Sequence, residues 1–406
     1  MQFDNDSAII IRKILPIFTK CATRKISSTK NKNELLKAQN ILYRDISAGE
    51  KHYNSLPPPK AKILPKHDFI SSQLFGSSFV PEDIRQFIKN NGVYQLEYKV
   101  TILDREIIIR IMLFEQEELF NLDKYEKYIS YMCNWLYICI KYSTTNCSKS
   151  LEIFFYPTNF KKKLPQRKVD LIGVENVNSA VTMRCQPKGE IIIYRKEEWR
   201  KVFIHETFHA FGLDIDKSSA GKIHQALSKI FPVESKYSVE EAYAETWARI
   251  INAAFSSYYS MKEKGGSYKE FILYLNFSLH IERLHSGIQM RKIMSFTGLD
   301  YDILTNKSNS NGLLYREDIN TNVFGYYVLS SVMMNCFPEF LSWCKNENMN
   351  LFKFHATPKN IVSFTDLINA CCKAEQCHAI SGLYKKGNND KYFKTNTRMS
   401  AIEILF

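Results

Sequence analysis

The sequence has no hydrophobic run long enough to cross a membrane. Its longest nearly apolar stretch, YMCNWLYICI, has ten residues, about half of the roughly 20 that a spanning helix needs. The first residues, MQFDNDSAIIIRKILPIF, begin acidic, and Arg12 and Lys13 interrupt the apolar run, which is unlike a secretory signal. We therefore expect a chain that has no transmembrane segment and that stays in the cytoplasm.

Glycine and proline are scarce, with 15 and 12 among 406 residues, and this excludes collagen-like and low-complexity proteins. Hydrophobic residues make up 45% and charged residues 24%, which is typical of a globular protein with a sizeable core. The length suggests two to three domains of about 150 residues each.

The basic residues form no dominant tract, although the formal net charge is +13. A basic balance can indicate contact with nucleic acid, an anionic membrane or an acidic partner. The lysines are spread along the chain, and the one basic loop, NFKKKLPQRKV, is short. A solvated surface explains the charge better than a nucleic-acid interface, so we expect no nucleic-acid partner.

Ten cysteines are present without the spacing of a common zinc motif, including those of CCKAEQCH, Cys371 to His378. In a cytoplasmic chain we expect them to be reduced and buried thiols.

The order of the patterns predicts an α+β half followed by an all-helical half. A hairpin is predicted for VYQLEYKVTI and REIIIRIMLF, and a helix for LDKYEKYISYMCNWLYICIKYS. Three strands are then predicted, SLEIFFYP, NSAVTMRC and GEIIIYR, followed by a helix, KEEWRKVFIHETFHAFG. From about residue 218 onward the patterns are helical. We predict an accessory segment with a proline-rich linker over 1–65, an α+β subdomain over 66–216 and a helical subdomain over 217–406.

The segment HETFH carries the strongest chemical signal. His205 and His209 are four residues apart, so they share one face of a helix. Glu206 lies about 100° further round, where it could reach a water but is poorly placed as a ligand. The alternative is a helix with two partly exposed histidines. The flanking Val202, Phe203, Ile204, Phe208 and Phe211 indicate a buried helix instead. Burying such polar groups is costly unless something binds them, so HExxH predicts a zinc site.

A catalytic zinc needs a third protein ligand. A metzincin continuation, HExxHxxGxxH, would place it at Ile215, which cannot bind a metal; Asp214 and Asp216 flank that position. The later segment VEEAYAETWARI offers another choice, because Glu241 and Glu245 are four apart and share a helix face.

Two alternatives to this ligand remain open. Glu240 is a rival ligand, although it has no acidic residue four positions on. An acidic pair at a helix start is also common as a solvated patch without any metal.

HETFH together with EEAYAE resembles the gluzincin clan of zinc metallopeptidases. The resemblance implies a zincin-like fold and one Zn²⁺ per chain, held by His205, His209 and Glu241. It also implies that Glu245 orients a zinc-bound histidine and that Glu206 is the general base. In that clan the strand before the helix, here GEIIIYR, looks like the edge strand that pairs with an extended peptide substrate.

A second resemblance connects the chain to uncharacterised HExxH proteins encoded by large nucleocytoplasmic DNA viruses. It is carried by WRKVFIHETFHAFGLD, VNSAVT and NVFGYYVL, and it covers roughly residues 70–345. It implies that virion or viral-factory proteins are partners and that the protein resides in the host cytoplasm or the virion.

Zinc peptidases usually place a Tyr or His near the developing oxyanion. We select Tyr315 and Tyr326 as candidates for this catalytic role. Others are Tyr237, His224, His280 and His285.

The function expected from these residues is a zinc endopeptidase acting on proteins. The alternatives are a non-catalytic virion or assembly protein with a structural zinc, and a nucleic-acid-associated protein. The presence of Glu206 favours the enzyme, because a structural site does not need a general base.

Overall fold

The computed structural model describes residues 1–21, 29–233, 235, 237–299, 315, 317–374 and 394–405. These residues form an α+β protein with one open, mixed β-sheet of six strands. Contacts between Cα atoms divide the chain into two compact units, one formed by residues 44–161 and 178–213 and the other by residues 1–43, 162–177 and 214–405.

The sheet belongs to the first of these units. Its strands are β1 (Lys62–Pro65), β2 (Tyr94–Ile102), β3 (Arg105–Leu113), β4 (Ser150–Phe155), β5 (Ala180–Thr182) and β6 (Lys188–Ile193). Their order across the sheet is β1-β2-β3-β4-β6-β5. The pairs β3–β4 and β4–β6 are parallel, and the pairs β1–β2, β2–β3 and β5–β6 are antiparallel.

The middle of the sheet is a row of buried side chains in register. Tyr98 lies opposite Ile109, Ile109 opposite Ile153, and Ile153 opposite Ile191. All four are 0–1% exposed. Isoleucine fits this position because β-branched side chains pack well on a pleated surface. The hairpin predicted around Leu103 and Asp104 is confirmed, and Leu103 adopts a positive φ of 53° in its turn.

The helices of the described residues run in chain order. They are α1 (Asn5–Cys21), α2 (Thr29–Ser55), α3 (Glu82–Asn91), α4 (Leu122–Tyr142), α5 (Val174–Val177), α6 (Trp199–Ala210), α7 (Lys217–Leu227), α8 (Val239–Glu263), α9 (Tyr268–Phe296), α10 (Ser330–Asn335), α11 (Phe337–Glu347) and α12 (Pro358–Cys372). A π-helical segment, Phe324–Leu329, leads directly into α10. None of the helices in the described ranges is long and apolar enough to span a bilayer.

In the second unit, the one that contains residues 214–405, α8, α9 and α10 pack against one another. The C-terminal segment is fixed to α9. The buried carboxylate of Glu282 accepts hydrogen bonds from the backbone N–H of Ala401 and Ile402 at 3.0 and 2.9 Å. Arg398 is fully buried and pairs with Asp4 at 3.4 Å, so the two ends of the chain are held in the same unit.

The predicted order of strand, strand, helix, then three strands and a helix is confirmed by β2, β3, α4, β4, β5, β6 and α6, except that the short helix α5 lies between β4 and β5. Two further details differ. The segment predicted to be an extended linker ends in β1, which pairs with β2. The helical pattern TNVFGYYVLSSVMMNCFPEFLSWC, residues 321–344, is divided into the π-helical segment, α10 and α11, with a break at Cys336. The predicted domain boundaries at 65 and 216 stay predictions.

Candidate metal centre

Helix α6 carries both histidines, and it is buried on all sides. All twelve of its residues are buried, including His205, Glu206 and His209. A helix buried in this way belongs to the core of its unit, and α6 packs against α4, β5 and β6. The helical pattern KEEWRKVFIHETFHAFG starts at Lys196, but α6 begins at Trp199, so Glu197 and Glu198 precede it.

The end of α6 is fixed by a glycine, the last residue of the helical pattern KEEWRKVFIHETFHAFG. Gly212 has a φ of +59° and donates its N–H to the carbonyl of His209 at 3.0 Å. Leu213 donates to the carbonyl of Phe208 at 2.9 Å. These two bonds and the left-handed glycine form a Schellman motif, which satisfies carbonyls that a helix end leaves unpaired. The cap fixes the last turn, the one that carries His209.

A disulfide between Cys147 and Cys185 lies against this cap. A Cβ atom placed on Gly212 would be 3.1 Å from the Sγ of Cys147, and the N–H of Cys185 also donates to the carbonyl of His209 at 3.0 Å. The prediction that the cysteines are reduced is therefore wrong for this pair. The two residues are 38 positions apart, and this separation in sequence does not predict a disulfide.

Six further cysteines are buried and form no disulfide, as predicted: Cys133, Cys139, Cys336, Cys344, Cys371 and Cys372. In the CCKAEQCH cluster, Cys377 and His378 lie outside the described residues. The structure therefore does not test whether this cluster binds a metal.

The two histidines of α6 direct their Nε2 atoms at each other, at a distance of 3.2 Å. Two nitrogens bound to one tetrahedral zinc at about 2.0–2.1 Å are about 3.3 Å apart. The spacing therefore fits a shared ion. It also fits an N–H···N hydrogen bond between neutral rings, so the third ligand decides between the two explanations.

Glu241 supplies a third donor atom. One ring nitrogen of His205, one of His209 and one carboxylate oxygen of Glu241 lie within 4.8 Å of one another. No other group of three His, Cys, Asp or Glu side chains is this close in the parts of the chain that the structure describes. Two imidazoles and a carboxylate are a donor set that zinc accepts. The residues therefore fit a zinc ion.

Glu241 lies in the first turn of α8, where Ser238 is the N-cap. The hydroxyl of Ser238 accepts a hydrogen bond from the N–H of Glu241 at 3.4 Å. The neighbouring Glu240 is the rival ligand, and burial raises the pKa of its carboxyl, with the charges of Glu241 and Asp214 adding to the effect. Of these two glutamates, Glu241 belongs to the cluster.

Thr207 holds α6 from the side of α4. Its hydroxyl accepts a hydrogen bond from the indole Nε1 of Trp135 at 2.6 Å and donates to the carbonyl of Ile204 at 2.7 Å. Both side chains are fully buried. This contact fixes the rotation of α6 about its axis, and therefore the direction of its two histidines. Sequence reasoning did not identify Thr207, because the free positions of HExxH carry no required residue type.

Glu245, predicted to orient a histidine, forms a buried ion pair on its own helix. Its carboxylate accepts from Nε of Arg249 at 3.0 Å, and the two side chains are 1% and 0% exposed. Arg249 in turn donates to the carbonyl of Tyr326 at 3.2 Å. The predicted role of Glu245 stays a prediction.

The tyrosines selected as oxyanion donors have local partners. The hydroxyl of Tyr315 donates to the carboxylate of Glu317 at 2.8 Å, and Tyr315 is 1% exposed. Tyr326 packs against an apolar cluster that includes Val323 and Tyr327. Their catalytic role stays a prediction.

The other side chains considered for this role also have partners. The ring of Tyr237 packs on that of His224, with centroids 4.4 Å apart. His280 packs against Phe337, and Nε2 of His285 lies 3.0 Å from the carbonyl oxygen of Arg398.

GEIIIYR does not form an edge strand, contrary to expectation. Its strand, β6, pairs with β4 on one side and with β5 on the other. In the described part of the sheet, β5 is the end strand next to α6. The misassignment arose because the sequence shows that a strand precedes α6 but not how the strands are ordered.

Comparison with known proteins gives no relative. No family model, no curated protein and no solved structure matches the chain.

Proposed function

We propose that the protein is a zinc-dependent metallopeptidase of zincin-like architecture that hydrolyses peptide bonds of protein substrates. The single observation that carries the proposal is the cluster of His205, His209 and Glu241, with Glu206 next to the first histidine on a buried helix. A site that only holds structural zinc has closed coordination by four side chains. The described residues bring together three donors, which leave a position for water or substrate.

The proposed roles follow from the positions of these side chains. His205, His209 and Glu241 hold the ion, which when bound would lower the pKa of a water and polarise the scissile carbonyl. Glu206 takes a proton from the attacking water and delivers it to the leaving amine. Burial of α6 excludes bulk water and strengthens each electrostatic interaction in the site.

The sheet offers a place for an extended substrate. Because β5 is the end strand beside α6, we assign peptide pairing to β5 in place of β6. Backbone pairing would give affinity for extended segments without requiring one sequence. Unstructured proteins are therefore the expected substrates. The proposed residence in a host cytoplasm or virion rests on the sequence resemblance alone.

The experiment that tests the proposal compares the wild type with Glu206→Gln. Each protein is assayed on casein, and its zinc content is measured. The amide keeps the shape of Glu206 but cannot accept the proton, so kcat should fall by about 10²–10⁴-fold. Zinc content should be the same in both proteins, because Glu206 is not a ligand.

Two results would contradict the peptidase. A fully zinc-loaded wild type that cleaves no unstructured protein would point to a structural site. A wild type that binds no zinc would remove both the enzyme and the structural alternative.

A further inference from the structure

The π-helical segment Phe324–Leu329 packs directly on the helix that carries the proposed third ligand. Val323 before it and Ser330 after it are in ordinary right-handed helical conformation, and the segment opens the helical stretch that continues as α10. Segments of π-helix are rare and occur often at functional sites. This one lies against α8 and α9.

Gly325 lies close to the first turn of α8. A Cβ atom at this position would lie 2.7 Å from the backbone oxygen of Ser238, and 3.8 Å from both the N atom of Ala242 and the Cβ of Glu241. The nearest atom is backbone, at the N-cap of α8. The carbonyl of an N-cap already accepts the first bond of its helix, so it cannot turn away without disturbing that turn.

The start of the segment is anchored to its surroundings. The carboxylate of Glu317 accepts the N–H of Phe324 and the hydroxyl of Tyr315, each at 2.8 Å. The ring of Phe324 packs on that of Tyr237, with centroids 4.8 Å apart. Tyr237 immediately precedes the cap residue Ser238. The segment therefore contacts α8 both at its first turn and just before it.

We propose that Gly325 is a positioning residue for the metal site. Its lack of a side chain lets the π-helical segment support the first turn of α8, and this support sets where the carboxylate of Glu241 lies. The inference rests on the proposed function, because it takes Glu241 as a zinc ligand. Zinc accepts carboxylate oxygens only within a narrow range near 2.0–2.2 Å. A small displacement of the turn therefore weakens binding.

The test measures zinc affinity by competition with a chromophoric chelator, using the full chain. Gly325→Ala should weaken zinc binding by about tenfold or more, with an unchanged circular dichroism spectrum. The matched control is Gly221→Ala in α7, where an added Cβ meets no atom within 4 Å. Gly221→Ala should bind zinc as the wild type does.

A second background separates positioning from general damage. In Glu241→Gln the proposed ligand is already weakened, so adding Gly325→Ala should change zinc affinity by less than about twofold. The same loss in both backgrounds would overturn the inference, because the effect would then not pass through Glu241. Wild-type affinity in Gly325→Ala would overturn it as well.

Should Gly325→Ala fail to fold, Glu317→Gln decides by the same comparison. It loosens the anchor at Phe324 without adding a Cβ, and it should weaken zinc binding only when Glu241 is intact. No zinc binding by the wild type would overturn the proposed function itself. Unchanged affinity in the variants, with a zinc-binding wild type, overturns only the role of Gly325.

Discussion

The disulfide beside α6 makes a quantitative prediction about stability. Replacing Cys147 and Cys185 together by serine removes a cross-link between residues 38 positions apart. Chain entropy assigns about 4 kcal/mol to closing a loop of that length in the unfolded state. The free energy of unfolding should fall by an amount of this order. Because the bond lies against Gly212, the loss also loosens the cap of the helix that carries the histidines.

Urea unfolding, followed by tryptophan fluorescence in the presence of a chelator, measures this loss without a contribution from metal. Dithiothreitol should lower the unfolding midpoint of the wild type and leave that of the double variant unchanged. Mass spectrometry after alkylation without reductant should find Cys147 and Cys185 unmodified. A change under about 1 kcal/mol, or alkylation of both residues in the untreated protein, would refute the reasoning.

Three further predictions concern buried polar groups. Thr207→Val leaves the indole N–H of Trp135 without the acceptor that Thr207 provides. It should lower the free energy of unfolding in urea by about 1–3 kcal/mol, whereas Thr207→Ser keeps the hydroxyl and should not. Equal stability of the two variants would contradict this. Glu245→Gln removes the carboxylate that pairs with the fully buried Arg249. It should lower the free energy of unfolding by about 3–5 kcal/mol, and adding Arg249→Met should restore part of the loss. Unchanged stability in Glu245→Gln would show that the pair is unimportant. Burial raises the pKa of Glu282 to about 7 from 4.5, so between these values the folded chain keeps a proton that the unfolded chain has released, and the free energy of unfolding should fall as pH rises through this window. In Glu282→Gln the free energy of unfolding should fall less over the same pH window. Parallel curves of unfolding free energy against pH for the two proteins would exclude Glu282 as the cause.

Several features of the site could be predicted because they are local in sequence. The four-residue spacing of His205 and His209 determines that they share a helix face. Gly212 follows an apolar helical pattern, and it adopts the left-handed conformation expected at a helix end. The same spacing places Glu241 and Glu245 on one face, and the resemblance to gluzincins implied that Glu241 is the ligand. The spacings need only the geometry of one helix.

Other features depend on contacts between distant residues, which sequence periodicity does not report. The Cys147–Cys185 bond and the position of β6 inside the sheet belong to this class. The π-helical segment is a further case. Its residues, FGYYVL, continue an ordinary helical pattern, and only Gly325 marks the place where α8 approaches.

The most direct test of the central claim is the zinc K-edge X-ray absorption spectrum of the purified protein, recorded with its zinc content. We expect about one zinc per chain, with two imidazole nitrogens and the remaining oxygen ligands at about 2.0–2.2 Å. In His209→Ala the imidazole signal should fall by about half or the zinc content should drop, because only His205 still supplies a ring. A zinc content near zero, or sulfur scattering at about 2.3 Å from cysteine ligands, would contradict the assignment of His205, His209 and Glu241.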